Sequence, residues 1–171
     1  MYPKYIKLIL ALLTLAYSIF QFYENNIGNG IALIFLVLIF VLLYFKNEII
    51  ILAFLRLRKQ DFNGTEKWLD KIKNPESALT KKQVGYYNYL KGVISSQTNL
   101  TLAEKYFKKA ISIGLSMNHD LAMAKLSLAG ILIQKRRKRE ATTLLNEAKK
   151  IDTQKMLSDQ IKMMQQQMKR I

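Results

Sequence analysis

The chain contains no cysteine, one histidine, one tryptophan and two prolines in 171 residues. Without cysteine there is no disulfide and no thiolate metal site, a composition compatible with a reducing compartment. His119 stands alone between Asn118 and Asp120, with no acid cluster to match it. It reads as a turn or cap residue, not as a ligand or proton shuttle. No G-x-x-x-x-G-K, G-x-S-x-G or H-E-x-x-H pattern occurs, and no set of acid, base and nucleophile can be assembled. The expectation is a non-enzymatic protein without cofactor or metal. Acidic residues are also scarce: 12 against 27 lysines and arginines, for a net charge of +15. All but Lys4, Lys7 and Glu24 of these charges follow residue 45, so the excess sits in the second part of the chain. It favours anionic partners, whether lipid head groups, acidic proteins or nucleic acid.

Charge is missing altogether from two early stretches, 8–23 and 27–45. With Tyr5 and Ile6 added to the first, each matches the roughly 17 to 25 residues that cross a bilayer as a helix. The tip between them is short and polar, with Glu24, Asn25 and Asn26, then Gly28 and Gly30. Two spans joined so closely must run antiparallel, as a hairpin over about 5–23 and 27–45 within a segment 1–46. A cleaved signal peptide followed by one anchor is the competing reading. The bulky run Ser18-Ile19-Phe20-Gln21-Phe22, where a small-residue cleavage site would lie, argues against it. Lys4 and Lys7 precede the first span, while Lys46, Arg56, Arg58 and Lys59 follow the second, and the tip has no cation. The positive-inside rule therefore expects both termini in the cytoplasm of a cell (inner) membrane. Tyr2, Tyr5, Tyr17, Tyr23 and Tyr44 lie mostly near span ends, where an aromatic ring with a polar tip is well placed. The abundance of Ile, Lys and Asn suggests an AT-rich bacterial source.

The remainder, 47–171, shows helical spacing throughout and no alternating strand pattern. The second span is expected to continue as a helix through Ile49, Leu52, Leu55 and Arg58, until Asp61-Phe62-Asn63-Gly64 breaks it. A helix over about 65–72 carries Trp68, Leu69 and Ile72, and Asn74-Pro75 ends it. Thr80-Lys81-Lys82-Gln83 and Thr101-Leu102-Ala103-Glu104 have the form of capping boxes, and Gly114 of a helix C-cap. Further helices are expected over 121–134, 140–151 and 156–170. The last of these places Leu157, Ile161, Met164 and Met168 on one stripe. Asn63-Gly64-Thr65 and Asn99-Leu100-Thr101 fit the glycosylation pattern, but their positions at helix starts read as caps.

One relationship organises this part. Leu90-Lys91-Gly92 recurs 38 residues later as Leu128-Ala129-Gly130; Ala103, Phe107 and Ala110 recur as Ala141, Leu145 and Ala148; Ile94 recurs as Leu132. Thr65, Leu69 and Ile72 lie a further 38 residues back. Small and large apolar positions repeated in this way imply two or three copies of one helix-turn-helix unit, hence an all-α solenoid. Ala103-x3-Phe107-x2-Ala110, and Ala141-x3-Leu145-x2-Ala148 with Leu for Phe, resemble the helix B signature of the tetratricopeptide repeat. That resemblance covers about residues 49–151. It departs from the family in its 38-residue spacing, in Leu115 and Thr153 where a proline usually closes the repeat, and in Lys125 where Tyr87 supplies the early aromatic of the other repeat. It implies a degenerate repeat over 49–73, repeats over 80–114 and 120–152, and a capping helix over 156–170.

The same resemblance implies a partner-binding groove on successive A helices, carried by Asn88, Gly92, Ser95 and Ser96, then Met123, Leu126, Gly130 and Ile133. Gly92 and Gly130 either let a bound segment approach the backbone or simply let helices pack. Lys135-Arg136-Arg137-Lys138-Arg139 is a basic edge, read either as a solvated turn or as an anionic contact. The expected function is a membrane-anchored adaptor for a protein or peptide partner. The alternative is an electrostatic module docking nucleic acid, ribosomes or anionic lipid.

Overall fold

The computed structural model describes residues 4–45 and 47–170. Tyr2 and Lys46, counted above among interfacial aromatics and flanking cations, lie outside them, as does the side chain of Lys4. All regular structure among the described residues is helical.

Helices α1 (Lys4–Tyr23) and α2 (Ile27–Phe45) pack against each other along their lengths. Asn25 turns the chain between them in the left-handed region, φ 61°, which asparagine tolerates better than most residues. Small Ala11 and Ser18 are buried in the contact, and the Ser18 hydroxyl donates to the Gly30 carbonyl at 2.9 Å. Such a polar bridge between close helices is how apolar pairs are fixed where lipid offers no hydrophobic drive. Leu12, Leu13, Phe35 and Leu42 project outward, each 60% exposed or more. Both helices are long and apolar enough to cross a membrane.

Helix α2 does not run on into the next element. Asn47 is extended (φ −63°, ψ 127°), and its side-chain oxygen accepts from the Ile49 N–H at 3.0 Å. A short polar side chain competing for backbone donors stops one helix and caps the next, so α3 (Glu48–Arg58) is a separate element. Asp61, not a break across 61–64, starts α4 (Phe62–Leu69): its carboxylate accepts from the Gly64 N–H at 2.8 Å. Asn63 is therefore inside a helix and caps nothing. Pro75 opens a four-residue helix, α5 (Pro75–Ala78), a position where its missing N–H costs nothing.

The Thr80/Gln83 capping box is formed and opens α6 (Lys81–Ser95). The box expected at 101–104 is not. Asn99 caps α7 (Leu100–Ile113) two residues earlier, accepting from the N–H groups of Thr101 and Leu102 at 3.1 and 3.0 Å. Gly114, at φ +83°, ends that helix as expected. Then follow α8 (Asn118–Gln134), α9 (Lys138–Ile151) and α10 (Ser158–Arg170), the first two starting two to three residues before their sequence-based limits.

Helices pair in sequence order, α3 with α4, α6 with α7 and α8 with α9; α4–α6 and α7–α8 contacts join the pairs, and α10 lies on α8 and α9. The 38-residue register is a register of burial. Thr65, Ala103 and Ala141 are each 0% exposed, and Leu69, Phe107 and Leu145 are at most 1% exposed. Ile72, Ala110 and Ala148 complete the set. Small residues at the first place, and at the third in the two later pairs, let the second helix approach closely, while the middle residue fills the core. Truncating one of these middle residues would cost about 3 to 5 kcal/mol through lost burial and the cavity left behind. Leu157 and Ile161 are buried with Ala122, Leu126, Leu145 and Ala148, and Met164 and Met168 pack at the edge of that cluster.

Candidate functional site

Five of the eight predicted groove residues lie inside the core: Asn88, Gly92, Ser95, Leu126 and Ile133. Asn88 has turned its amide back on its own helix, donating to the Val84 carbonyl at 2.7 Å. It shares a register with Ile50 and Leu126, all three buried. A β-carbon at Gly92 would meet the Phe107 ring at 3.1 Å, so this glycine lets α7 close on α6. Ser96, Met123 and Gly130 are half-buried. Ser96 donates to the Val93 carbonyl at 2.6 Å, and Gly130 faces the Met164 methyl of α10. The eight positions are thus mainly packing positions. The reason is that α8 is apolar nearly all round and lies between two neighbouring helices.

An open apolar cleft of about 370 Å³ lies elsewhere, between α7 and α9, with Leu128 and Leu132 of α8 among its lining residues. Ile111 and Leu144 contribute apolar walls, and Lys108 and Glu140 bring opposite charges to it. The signal for it in the sequence was weak, because Ile111 and Leu144 read as ordinary core-facing residues of their helices.

The basic cluster divides in two. Glu104, only 8% exposed, receives Lys135 at 2.8 Å, Arg137 at 2.6 Å and Lys108 at 2.7 Å. Hydrogen bonds from Lys108 and Lys135, then from Arg137, hold its carboxyl down at about 2. Arg137 also makes two bonds to Glu140, at 2.7 and 2.6 Å, and these carboxylates raise its guanidinium pKa further. Lys135 and Arg137 therefore tie α8 and α9 to α7. Arg136, Lys138 and Arg139 are exposed and form no ion pair among the described residues. Of this network the sequence offered the Glu104/Lys108 spacing of four and the Arg137/Glu140 spacing of three; the other partners of Glu104 are more than 30 residues away.

The hairpin is fastened to the helices behind it. The Lys7 ammonium pairs with Glu48 and donates to the Leu43 carbonyl at 3.2 Å, and the Gln83 amide donates to the Tyr44 carbonyl at 3.3 Å. These side chains satisfy carbonyls at the end of α2 that its own helix cannot. Apolar Leu10, Phe40, Leu43 and Ala78 line a cleft of about 390 Å³ at this junction.

Two further links hold the pairs together. Tyr86 donates to Asp120 at 2.6 Å, and burial followed by that carboxylate pushes its phenol up to about 12. Lys91 meets Asp70 at 2.7 Å and Glu66 at 3.7 Å; burial alone would depress its ammonium, but the bond to Asp70 together with the nearby Asp70, Tyr87 and Glu66 outweighs it and the pKa is raised. His119 is half-buried in the first turn of α8, its Nδ1 without a hydrogen-bond partner. Among the described residues no three His, Asp or Glu side chains gather closely enough to hold a metal ion.

No protein family, curated protein or solved structure matches this chain.

Proposed function

We propose that this chain is a membrane-anchored adaptor, its hairpin spanning the cell membrane with both ends in the cytoplasm. Its helix pairs form a short tetratricopeptide-like solenoid closed at the far end by α10. The observation that carries this reading is the open apolar cleft between α7 and α9, in a helical body latched to the hairpin at Lys7, Glu48 and Gln83. A partner helix or extended segment would lay apolar side chains against Ile111 and Leu144, the half-buried walls of the cleft, over a floor formed by the buried Leu128 and Leu132. Confinement to the membrane surface raises the effective concentration of any partner that is also membrane-bound. The reading is non-enzymatic and needs no cofactor. It moves the contact surface from the A helices, where Asn88 and Leu126 are enclosed, to the second helices of each pair.

A second reading rests on Arg136, Lys138 and Arg139, which are exposed and have no carboxylate partner among the described residues, in a chain of net charge +15. In it this turn docks an anionic surface, such as nucleic acid, a ribosome or lipid, with affinity falling steeply as salt rises.

Photo-crosslinking in native membranes separates the two. A probe at Ser112, at the cleft and exposed, is expected to capture one dominant protein, and Leu144→Asp is expected to abolish that capture. Capture of nucleic acid, ribosomal protein or lipid from Arg139, with nothing from Ser112, would overturn the adaptor reading.

A further inference from the structure

Helix α3 has two apolar faces, and only one of them is covered. Ile50 and Ala53 are buried against the helices that follow, with Phe54 and Leu57 packed beside them. Opposite lie Ile51, Leu52 and Leu55, which are 41%, 37% and 50% exposed. At about 100° per residue these three form one strip along the helix, and Arg56 and Arg58 fall on either side of it. A helix side facing water carries its charges in the middle. This one carries its two arginines at the margins, and its one acid, Glu48 at the head of the strip, is bound to Lys7.

The 38-residue register explains why the strip is open. The counterparts of Ile51 and Leu52 in the next pair are Tyr89 and Leu90, both buried, and the counterparts of Leu52 and Leu55 one pair later are Leu128 and Ile131, each 3% exposed. Tyr89 stacks on Phe54 of α3, and Leu128 lies beside Lys108 and Ile111 of α7, so the preceding pair lies over this side of the later helices. Helix α3 is the first of the stack and has no preceding pair. A stack of this kind needs its end residues covered or made polar, and α3 has kept them apolar.

Resting on the reading of α1 and α2 as a membrane hairpin, we propose that α3 lies in the head-group layer of the same membrane, and that the bilayer covers this end of the stack. Continuity supports that occupant over any other. Two residues separate α2 from α3, Asn47 turns the chain by breaking the helix, and Glu48 is bound to Lys7 in the first turn of α1. The strip thus starts where the span ends. Ile51, Leu52 and Leu55 enter the acyl boundary, while Arg58 and Lys59, and Arg56 from its exposed pair with Asp61, reach anionic head groups with their charged ends and cover apolar surface with their stems. This sets the orientation of the whole helical body. It stands on its side against the membrane, held by a span and by a surface helix, so that its clefts keep a fixed height above the bilayer.

The test uses the absence of native cysteine. Full-length chains carrying one substitution each, Leu55→Cys, Lys67→Cys or Leu38→Cys, are labelled with an environment-sensitive fluorophore. They are reconstituted in vesicles of phosphatidylethanolamine and phosphatidylglycerol. The label at residue 55 is expected to emit to the blue of the label at 67, to be quenched by nitroxide-bearing lipid, and to be protected from aqueous iodide. Iodide quenching at 55 equal to that at 67 would overturn the proposal. So would protection at 55 from both quenchers, which would show that protein, either a second copy or another partner, covers the strip. The label at 38 separates the two levels of inference. If it is reached by iodide, the hairpin reading has failed; if it is lipid-quenched while 55 is open to water, only the surface helix has failed.

Discussion

Arg137 donates to Glu104 at 2.6 Å across 33 residues of sequence, and this contact joins the last helix pair to the one before it. The arginine belongs to a run of five basic residues that resembles a surface patch, yet it and Lys135 serve the interior of the fold. Glu104→Gln keeps the volume and removes the charge these cations share. It should lower the stability of the full-length chain by about 2 kcal/mol, the scale of hydrogen bonds to charged groups, as read by thermal unfolding in detergent micelles.

The same carboxyl fixes an acid limb. Its folded value is about 2, below its ordinary value of 4.5. A depressed carboxylate contributes stability that is complete above the unfolded value and lost as pH falls through the folded one. Stability should therefore decline between about pH 4.5 and pH 2, and Glu104→Gln should flatten that decline. A melting profile identical to the parent's over this window would show that Glu104 is not the group responsible.

Gly92 and Gly130 occupy the same place in successive pairs but face different neighbours. A methyl group at Gly92 meets the buried Phe107 ring at 3.1 Å, whereas at Gly130 it meets the terminal methyl of Met164 at 3.3 Å. The ring is enclosed and the methionine end can move. Both alanine variants gain about 1 kcal/mol of helix propensity, but only Gly92→Ala must displace a packed ring, at about 1 to 3 kcal/mol. Gly92→Ala should be net destabilising and Gly130→Ala neutral or stabilising. Equal melting temperatures for the two would contradict this account.

Arg136 is held in the left-handed region, φ 58°, in the turn that ends α8. Its N–H donates to the Ile133 carbonyl at 2.9 Å and the Arg137 N–H to the Leu132 carbonyl at 2.8 Å, so the strained residue closes the helix. Arg136→Gly should stabilise the chain by about 1 kcal/mol, the cost that an L side chain adds there. If this turn also binds an anionic surface, the variant would be more stable and bind less well, which a melt and a salt-dependent binding assay would separate.

Lys7 and Glu48 join the two parts of the chain across 41 residues. Glu48→Gln should leave the melt of the helical body unchanged while raising amide exchange at the start of α3 and around the end of α2. Unchanged exchange would mean that the Gln83 bond to the Tyr44 carbonyl and the apolar junction hold without the ion pair.

Much of this architecture could be read before any coordinates. The apolar runs of α1 and α2, the Thr80/Gln83 cap, the Gly114 stop and the 38-residue register depend on neighbours within a turn or on a repeated pattern, and those are written in the chain. The break at Asn47 was missed because Asn47 lies within an otherwise apolar helical spacing and only its backbone angles reveal the cap. The cap at Asn99 was legible, but the competing Thr101/Glu104 capping pattern was not ruled out by the sequence, because what draws Glu104 away is a set of distant cations.

The sequence by itself determined an all-helical chain, two long apolar helices and the spacing of the helix pairs, because periodicity and hydropathy are local properties. The tertiary structure alone decided which faces were left open. Burial depends on what lies across a residue, not beside it in sequence: Asn88 and Gly92 are enclosed by neighbouring helices, half of the basic run is drawn to Glu104, and Ile51, Leu52 and Leu55 stay uncovered because no pair precedes α3.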